Sequence, residues 1–119
     1  MRAEELKGHL DAVLLAALEG GPRHGYAVIE ALRQSTDGRL DLPTGTIYPA
    51  LRRLEQAGLI AGTWSVVGGR RRREYRLTPA GIRALSGRRA AWRDFSATVT
   101  AALENAALED TACPSPNPA

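Results

Sequence analysis

Two segments of the chain concentrate side chains that bind nucleic acids. Residues 42–60, LPTGTIYPALRRLEQAGLI, intersperse threonine, tyrosine and arginine with apolar residues. Hydroxyl and guanidinium groups hydrogen-bond to phosphates and to the edges of bases. The second segment is the run of four arginines at 70–73, directly after Gly68 and Gly69. Adjacent arginines repel one another unless a counter-charge is present, so the run favours a polyanion such as the DNA backbone.

Both segments also fit a plainer interpretation, as a surface helix with a solvated polar face and a solvated charge run. The distribution of charge favours DNA binding. Residues 52–93 carry a net charge of +9, residues 1–51 carry −2 and residues 94–119 carry −4, which together give the +3 of the whole chain. A basic middle between acidic ends is expected where one surface meets a polyanion and the others do not.

The remaining composition excludes several classes of protein. The 119 residues suffice for one small domain, and no apolar run is long enough to span a bilayer. A single cysteine, Cys113, and two histidines predict neither a disulfide framework nor a metal centre, and they fit a reducing, cytoplasmic setting. There is no nucleophile beside a base, no carboxylate pair in an apolar setting and no phosphate-binding glycine motif. We therefore expect neither an enzyme nor a cofactor.

Helical periodicity predicts three helices in the first half of the chain. The first spans about 9–19 and the second about 24–34. In the third, one face packs on the core through Ile47, Ala50, Leu51 and Leu54. If Thr46 caps this third helix, Pro49 falls in its first turn; if Thr44 caps it, Pro49 lies one turn deeper and bends the helix. We expect the longer, bent helix, ending at Gly58.

After Gly58 the apolar period changes to two, which predicts a β-hairpin. The alternating residues are Ile60, Trp64 and Val66 in the first strand and Tyr75 and Leu77 in the second. Residues 68–73 form the glycine-and-arginine tip, an exposed loop from which arginines reach the DNA backbone or a narrow minor groove. We predict that Trp64 is the hydrophobic anchor of the hairpin.

A last helix is predicted from Pro79 to about residue 108, with Thr78 as its N-cap. Its apolar side chains form a coiled-coil-like stripe: Leu85, Trp92, Phe95, Val99 and Leu103. Because no other element remains to cover this stripe, we expect it to form the interface of a homodimer. Residues 111–119 contain three prolines and are expected to form a disordered tail.

The order helix, helix, helix, hairpin, helix is that of a winged helix–turn–helix protein, a mainly α fold with a small β-hairpin. We predict a DNA-binding domain of this type at 1–78, a C-terminal dimerisation helix at 79–110 and the tail at 111–119. In this fold the third helix enters the major groove of double-stranded DNA and the wing contacts the backbone.

The predicted DNA-binding residues are Tyr26, Thr44, Thr46, Tyr48, Arg52, Arg53, Arg70, Arg71, Arg72 and Arg73. We expect Thr46, Tyr48 and Arg52 together on one exposed face of the third helix, where its start reads bases. Arg53 and the wing arginines are expected to contact phosphate, which positions the protein without specifying sequence. Tyr26 is placed either in the core or, through its hydroxyl, on a phosphate.

Four motifs occur in order along the chain: HGY at 24–26, LPTGTIYPALRRLE at 42–55, GLI at 58–60 and REYRLTPAG at 73–81. With these motifs the chain resembles the PadR family of bacterial transcriptional regulators. It implies a winged-helix homodimer, usually a repressor, that is built through its C-terminal helix and binds a palindromic operator. The single C-terminal helix is similar to the short subfamily, whereas Pro43 stands where the family commonly has a small hydroxyl residue.

Some short members of this family hold flat aromatic effectors between their two protomers, near an aromatic residue of the last helix. Trp92 is similarly placed, so the resemblance implies an effector pocket there for a small aromatic compound. The alternative is that Trp92 belongs only to the apolar core of the dimer.

The sequence thus predicts a sequence-specific DNA-binding transcriptional regulator, a homodimeric repressor of a palindromic operator that is released by a small-molecule or stress signal. The alternative is a winged-helix module that docks a partner protein and has no role in DNA binding. Such a module does not need arginine, tyrosine and threonine on its third helix beside a basic wing.

Overall fold

The fold is mainly helical, with one small antiparallel sheet and a long C-terminal helix, as predicted. The computed structural model describes residue 6 and residues 8–112, with side chains as far as residue 105. The helices are α1 (Leu10–Ala17), α2 (Gly25–Ser35), α3 (Thr44–Gln56) and α4 (Pro79–Ala112). The strands are β1 (Arg23–His24), β2 (Ile60–Val67) and β3 (Arg70–Leu77).

The chain divides into two compact units, Met1–Ser86 and Gly87–Ala119. The first contains α1 to α3, the sheet and the start of α4, so it reaches past the boundary predicted at residue 78. Helix α4 continues to Ala112, and the predicted tail is therefore helical at residues 111 and 112. The rest of that tail, including Cys113, lies outside the described residues.

The hydrophobic core of the first unit is built from all three short helices and the inner end of the sheet. Its largest fully buried side chains are Leu14, Leu15, Val28, Ile47, Leu51, Leu54 and Ile60. The predicted core face of α3 is confirmed, because Ile47, Ala50, Leu51 and Leu54 are all buried. No polar or charged residue is buried among the residues described, so apolar burial holds this unit together.

Helix α3 begins at Thr44, and Pro43 rather than a threonine occupies the N-cap position. The longer of the two predicted helices is the observed one, but neither Thr44 nor Thr46 caps it with a side-chain hydrogen bond. Pro43 instead fixes the entry of the chain, since its ring restrains φ near the observed −75°. Pro49 lies inside the helix and has no N–H to offer the carbonyl of Gly45.

Gly58 ends α3 as predicted, with φ of +78°. The N–H of Gly58 donates to the carbonyl of Glu55 and the N–H of Leu59 to that of Leu54, both at 3.0 Å. These are the paired hydrogen bonds of a Schellman motif, which satisfies carbonyls left open at a helix end. The motif turns the chain directly from α3 into β2.

Strands β2 and β3 form the predicted hairpin, in a register that pairs Ile60 with Leu77 and Val67 with Arg70. Its turn is only two residues long, Gly68 and Gly69, whose φ values are 59° and 78°. Positive φ at both central residues is the signature of a type I′ turn. The prediction of a six-residue tip is therefore wrong, because the arginines at 70–73 continue the ladder as the first half of β3.

Strand β1 adds a third strand that the sequence did not predict. It pairs with β3, Arg23 opposite Tyr75 and His24 opposite Glu74, so the order in the sheet is β1-β3-β2. Two residues are too few to show an alternating pattern. The strand ties the start of α2 to the hairpin.

Helix α4 begins as predicted, with Thr78 as its N-cap. The Thr78 hydroxyl accepts the N–H of Gly81 at 3.0 Å and donates to the carbonyl of Gly58 at 2.7 Å. Leu85 is 3% exposed and belongs to the core of the first unit. Its assignment to a dimer interface is therefore wrong, because the first two turns of α4 pack on their own chain. Within the described ranges, no helix combines the length and apolarity needed to cross a bilayer.

Candidate nucleic-acid interface

A cleft of about 680 Å³ lies between the exposed side of α3, the start of α2 and the hairpin. Five arginines line it, Arg52 and those at 70–73, together with the rings of Tyr26, Tyr48 and Trp64. Glu55 is the acidic residue of the lining. A cleft that combines guanidinium groups with exposed aromatic rings suits contact with phosphates and bases.

Helix α3 presents one flank to this cleft. Tyr48, Arg52 and Glu55 recur at four- and three-residue spacing and all line it. Thr44 lies one turn before Tyr48 on the same flank and is exposed. Four of the helix's polar side chains are therefore accessible from the side of the hairpin.

Thr46 and Arg53 lie on the other flank of α3, toward α1. They are seven residues apart and so share one side of the helix. Arg53 forms an ion pair with Asp11 of α1, with Nη2 3.2 Å from Oδ1. The prediction that Thr46 shares a face with Tyr48 is wrong, because residues two positions apart in a helix are rotated by about 200° about its axis.

Tyr48 lies over the first residue of α2. A Cβ atom built on Gly25 would stand 2.4 Å from Cζ of Tyr48 and 2.5 Å from its hydroxyl oxygen. Only glycine leaves room for the ring, which explains the glycine in the HGY motif without any special backbone angle. Tyr26 meets the Tyr48 ring edge-to-face, with centroids 6.3 Å apart. Its own side chain is 65% exposed, so the option that Tyr26 lies in the core is excluded.

Burial raises the pKa of the Tyr48 hydroxyl, and Tyr26 and Tyr75 raise it further. The hydroxyl therefore keeps its proton at neutral pH. A protonated phenol donates a hydrogen bond, which an anionic phosphate or a base acceptor takes up.

Trp64 is exposed on the hairpin, so its prediction as a hydrophobic anchor is wrong. Its ring is 58% exposed, and the guanidinium carbons of Arg71 and Arg73 lie 4.5 and 5.2 Å from the ring centroid. Of the residues predicted to alternate along β2, only Ile60, at its inner end, reaches the core. Trp64 lies farther out, where stacked cations replace the apolar neighbours.

The four wing arginines alternate between the two faces of β3. Arg71 and Arg73 share a face with Trp64, because Trp64 is the register partner of Arg73. The guanidinium of Arg73 donates from Nε to Oε1 of Glu55 at 3.4 Å and from Nη2 to Oε2. This hydrogen bonding raises the pKa of Arg73.

Arg70 and Arg72 lie on the opposite face of β3. Arg72 donates from Nη1 to the His24 ring, whose Nε2 and Nδ1 lie 2.9 and 3.1 Å away. Burial and, next, the charge of Arg72 lower the pKa of His24, while Glu74 opposes them. In the described part of the chain, no carboxylate pairs with Arg52, Arg70 or Arg71.

The second unit carries the apolar stripe of α4. Trp92, Phe95, Val99 and Leu103 are 50, 57, 38 and 76% exposed. The rings of Trp92 and Phe95 are 5.9 Å apart and tilted by 34°. The four side chains lie within about 80° of arc on the helix. An exposed apolar patch of this kind marks an interaction surface.

Four residues shape the cleft but are not assigned to it from the sequence. Gly25 and Gly62 provide space for Tyr48 and Arg73, and a lone glycine has no distinctive pattern in a sequence. Glu55 looked like one more polar position of α3, and Trp64 like a core residue. The single signal that could have found Glu55 is its place as one of two acids in the basic region 52–93.

Comparison with known proteins identifies the family. The model of the transcriptional regulator PadR-like family matches residues 14–87. A transcriptional regulator of Mycobacterium tuberculosis is 42% identical over 77 residues, which cover 65% of this chain and 59% of that relative's length.

Solved structures agree with this assignment. A PadR family transcriptional regulator of Eggerthella lenta has a TM-score of 0.74 and 35% identity, covering 85% of this chain and 87% of its own. The PadR protein of Bacillus subtilis, crystallised in complex with operator DNA, shares the fold, with a TM-score of 0.61 and 24% identity over 66% of this chain and 45% of its own. The chain therefore belongs to the PadR-like family, whose members are transcriptional regulators rather than enzymes.

Proposed function

We propose that this chain binds double-stranded DNA sequence-specifically, as a homodimeric repressor of a palindromic operator. The observation that carries the proposal is the basic, aromatic cleft between α3 and the hairpin. The operator complex of the Bacillus subtilis relative supports a DNA-binding role for this fold. Helix α3 enters the major groove, and β2–β3 lies on the adjacent backbone as the wing.

Within α3, the outward surface between the two flanks is formed by Gly45, Pro49 and Gln56. Two of these are small, so the helix axis approaches the floor of the groove closely. Thr44, Tyr48 and Arg52 then read base edges from the side of the wing. Arg53, held by Asp11, meets the backbone on the other side.

On the wing, Arg70 and Arg71 are exposed and have no carboxylate partner among the described residues. We assign them to phosphates, together with the hydroxyl of Tyr26. Each phosphate that an arginine neutralises releases a counterion and steepens the salt dependence of binding by about 0.9 in log–log slope. We also assign Arg72, which is held against His24, to this stretch of the backbone.

The stripe of Trp92, Phe95, Val99 and Leu103 supports dimerisation through α4. A dimer pairs two α3 helices on one face of the DNA, so each half-site is read by one protomer. We further propose that Trp92 lines an interface pocket for a small aromatic effector that releases the operator. Titrating aromatic compounds against the Trp64→Phe variant, in which Trp92 is the remaining tryptophan, tests this pocket through its fluorescence. Unchanged emission would contradict the pocket for the compounds used.

Selection of bound DNA from a random pool tests the DNA-binding function. The expected result is an inverted repeat whose half-sites lie about one helical turn, ~34 Å, apart. Arg71→Gln should lower the salt slope by about 0.9, whereas Arg33→Gln, which removes the same charge from the Glu30 ion pair on α2, should not. A protein that binds no DNA even at low salt would instead be a protein-interaction module. Derepression of an operator–reporter fusion when the gene is deleted tests the sign of regulation.

A further inference from the structure

The outer half of the hairpin is not held in place by apolar packing. Trp64, Val66 and Val67 are 58, 68 and 48% exposed, whereas buried side chains, Ile60 and Tyr75, occur only toward its inner end. A two-stranded ribbon without a covered face is marginally stable and flexible on its own. Something other than the core must therefore fix where the wing arginines lie relative to α3.

The ion pair of Glu55 and Arg73 spans this gap. Glu55 lies in the last turn of α3, and Arg73 lies midway along β3, opposite Trp64. Both guanidinium nitrogens that face the carboxylate bond to it, so the contact is bidentate and sets a direction as well as a distance. The two side chains are only 30 and 27% exposed, less than either partner of the Arg33–Glu30 and Arg53–Asp11 pairs.

Gly62 on the neighbouring strand β2 leaves space for the Arg73 side chain to pass over the face of the sheet. A Cβ atom on Gly62 would lie 2.6 Å from Nε and 2.9 Å from Cζ of Arg73. The φ of Gly62 is not in the left-handed region, so glycine is needed here for the space it leaves and not for an unusual backbone conformation. The ring of Trp64 lies on the other side, 5.2 Å from the same guanidinium carbon. The guanidinium is thus confined between Gly62, Trp64 and Glu55.

We propose that Glu55 and Arg73 form a strut that sets the position of the wing relative to α3, and that Arg73 positions the other DNA-binding residues instead of binding phosphate itself. This inference rests on the proposed DNA-binding function. Arg71, two residues away on the same face, stacks on Trp64 and, having no carboxylate partner among the described residues, is left to contact the DNA backbone. Neighbouring arginines of one run thus have different roles.

The strut and a phosphate-binding Arg73 predict opposite effects of removing Glu55. If Arg73 bound phosphate, Glu55 would only compete with the DNA, so Glu55→Gln would tighten binding and steepen its salt dependence. With a strut, Glu55→Gln weakens binding of specific DNA although it makes the protein more basic. We expect a loss of roughly two- to fivefold, the range of a partly exposed ion pair, with an unchanged salt slope.

The experiment compares Glu55→Gln, Arg73→Gln, the double variant and Glu30→Gln, which removes a carboxylate from the exposed pair with Arg33. Hydrogen exchange of the free proteins should accelerate in residues 62–73 of the first three variants and stay unchanged in Glu30→Gln. The double variant should lose no more DNA affinity than Arg73→Gln, because the two residues act as a unit.

Tighter DNA binding by Glu55→Gln, or an unaltered exchange rate in its hairpin, would overturn the strut. Gly62→Ala provides a second route to the same readout, since its methyl group displaces the Arg73 guanidinium with both charges intact. It should accelerate exchange in the hairpin as Glu55→Gln does. The exchange measurements need no DNA, so failure of the wild-type protein to bind DNA would refute the proposed function and leave the test of the strut valid.

Discussion

Gly25 and Tyr48 are in van der Waals contact at the junction of α2 and α3, and the tyrosine ring would have to move to admit any side chain at residue 25. A Cβ on Gly25 would lie 2.4 Å from the tyrosine ring. The ring is the movable partner, because it is 37% exposed, whereas Gly25 belongs to the buried backbone at the start of α2. The absence of one side chain therefore determines the position of another that faces the cleft.

Gly25→Ala should displace Tyr48 and reduce discrimination between operator and unrelated DNA by about 1 kcal/mol, the lower end for one base contact. Competition binding with operator and scrambled duplexes measures this discrimination as a ratio of affinities. The double variant Gly25→Ala/Tyr48→Ala should discriminate no worse than Tyr48→Ala alone, because the glycine acts through the ring. Additive losses would show that Gly25 acts in some other way.

Gly81→Ala should strongly destabilise the first unit. A Cβ at this position would lie 1.9 Å from the carbonyl oxygen of Leu59, a backbone atom that cannot rotate away. The start of α4 would have to move off the chain between α3 and β2, at a cost of roughly 2–3 kcal/mol. Urea unfolding, monitored by circular dichroism, gives the free energy of unfolding.

Gly87→Ala is the matched control in the same helix, since nothing lies within 4 Å of its added methyl group. Helix propensity alone predicts a gain of about 0.5–1 kcal/mol there. Equal effects of the two substitutions would contradict the close approach at Gly81.

The protein should lose stability in mild acid through His24. Its pKa in the folded protein is lowered below the ordinary 6.5, first by burial and then by Arg72. The unfolded chain therefore takes up this proton at a higher pH than the folded protein does. The contribution of neutral His24 to the free energy of unfolding is fully present above pH 6.5. It is lost as the pH falls through the lower pKa of the folded state.

Urea midpoints between pH 5 and 8 should fall less steeply for His24→Gln than for the wild-type protein. The difference between the two curves isolates this residue from the carboxylates that titrate over part of the same range. Parallel curves would show that the contact with Arg72 does not perturb the histidine.

Leu103→Gln should dissociate the proposed dimer without unfolding the protomer, because Leu103 is 76% exposed in the single chain. Burying a leucine side chain contributes roughly 1.5–3 kcal/mol, so we expect at least a tenfold weaker dimer. Sedimentation equilibrium measures the dissociation constant of the dimer. Ala101→Gln, on the opposite side of α4, is the control and should leave the dimer unchanged; an unaffected dimer in Leu103→Gln would exclude this stripe as the interface.

Most of the fold could be predicted because the four helices and the β-hairpin each have a local signal, which the two-residue strand β1 lacks. The buried face of α3, the Gly58 stop and the Thr78 cap depend on residues close in sequence, and all three are confirmed. Leu85 shows the limit of this reasoning. Its heptad spacing fits the stripe of α4, but the core of its own chain covers it, and periodicity does not distinguish the two neighbours.

The candidate interface was harder to predict, since it depends on pairs of residues that are distant in sequence. Arg73 and Glu55 are 18 residues apart and Arg72 and His24 are 48 apart. The arginine run is uniform in sequence, whereas the strand divides it by parity and gives its members different partners. Trp64 was misassigned for a related reason, because alternation indicates which face a residue shares but not how far the core extends beneath that face.

The two-glycine turn also limits how the hairpin can change in length. Positive φ at both Gly68 and Gly69 fixes the strand pairing on either side of the turn. Inserting one residue between the turn and Arg73 would exchange the two faces of the outer strand, since the period of a strand is two. Inserting one residue in each strand would lengthen the wing by a full pair and keep the inner register. Wings of this kind should therefore lengthen or shorten only by matched pairs of residues, which is a practical rule for redesigning their reach.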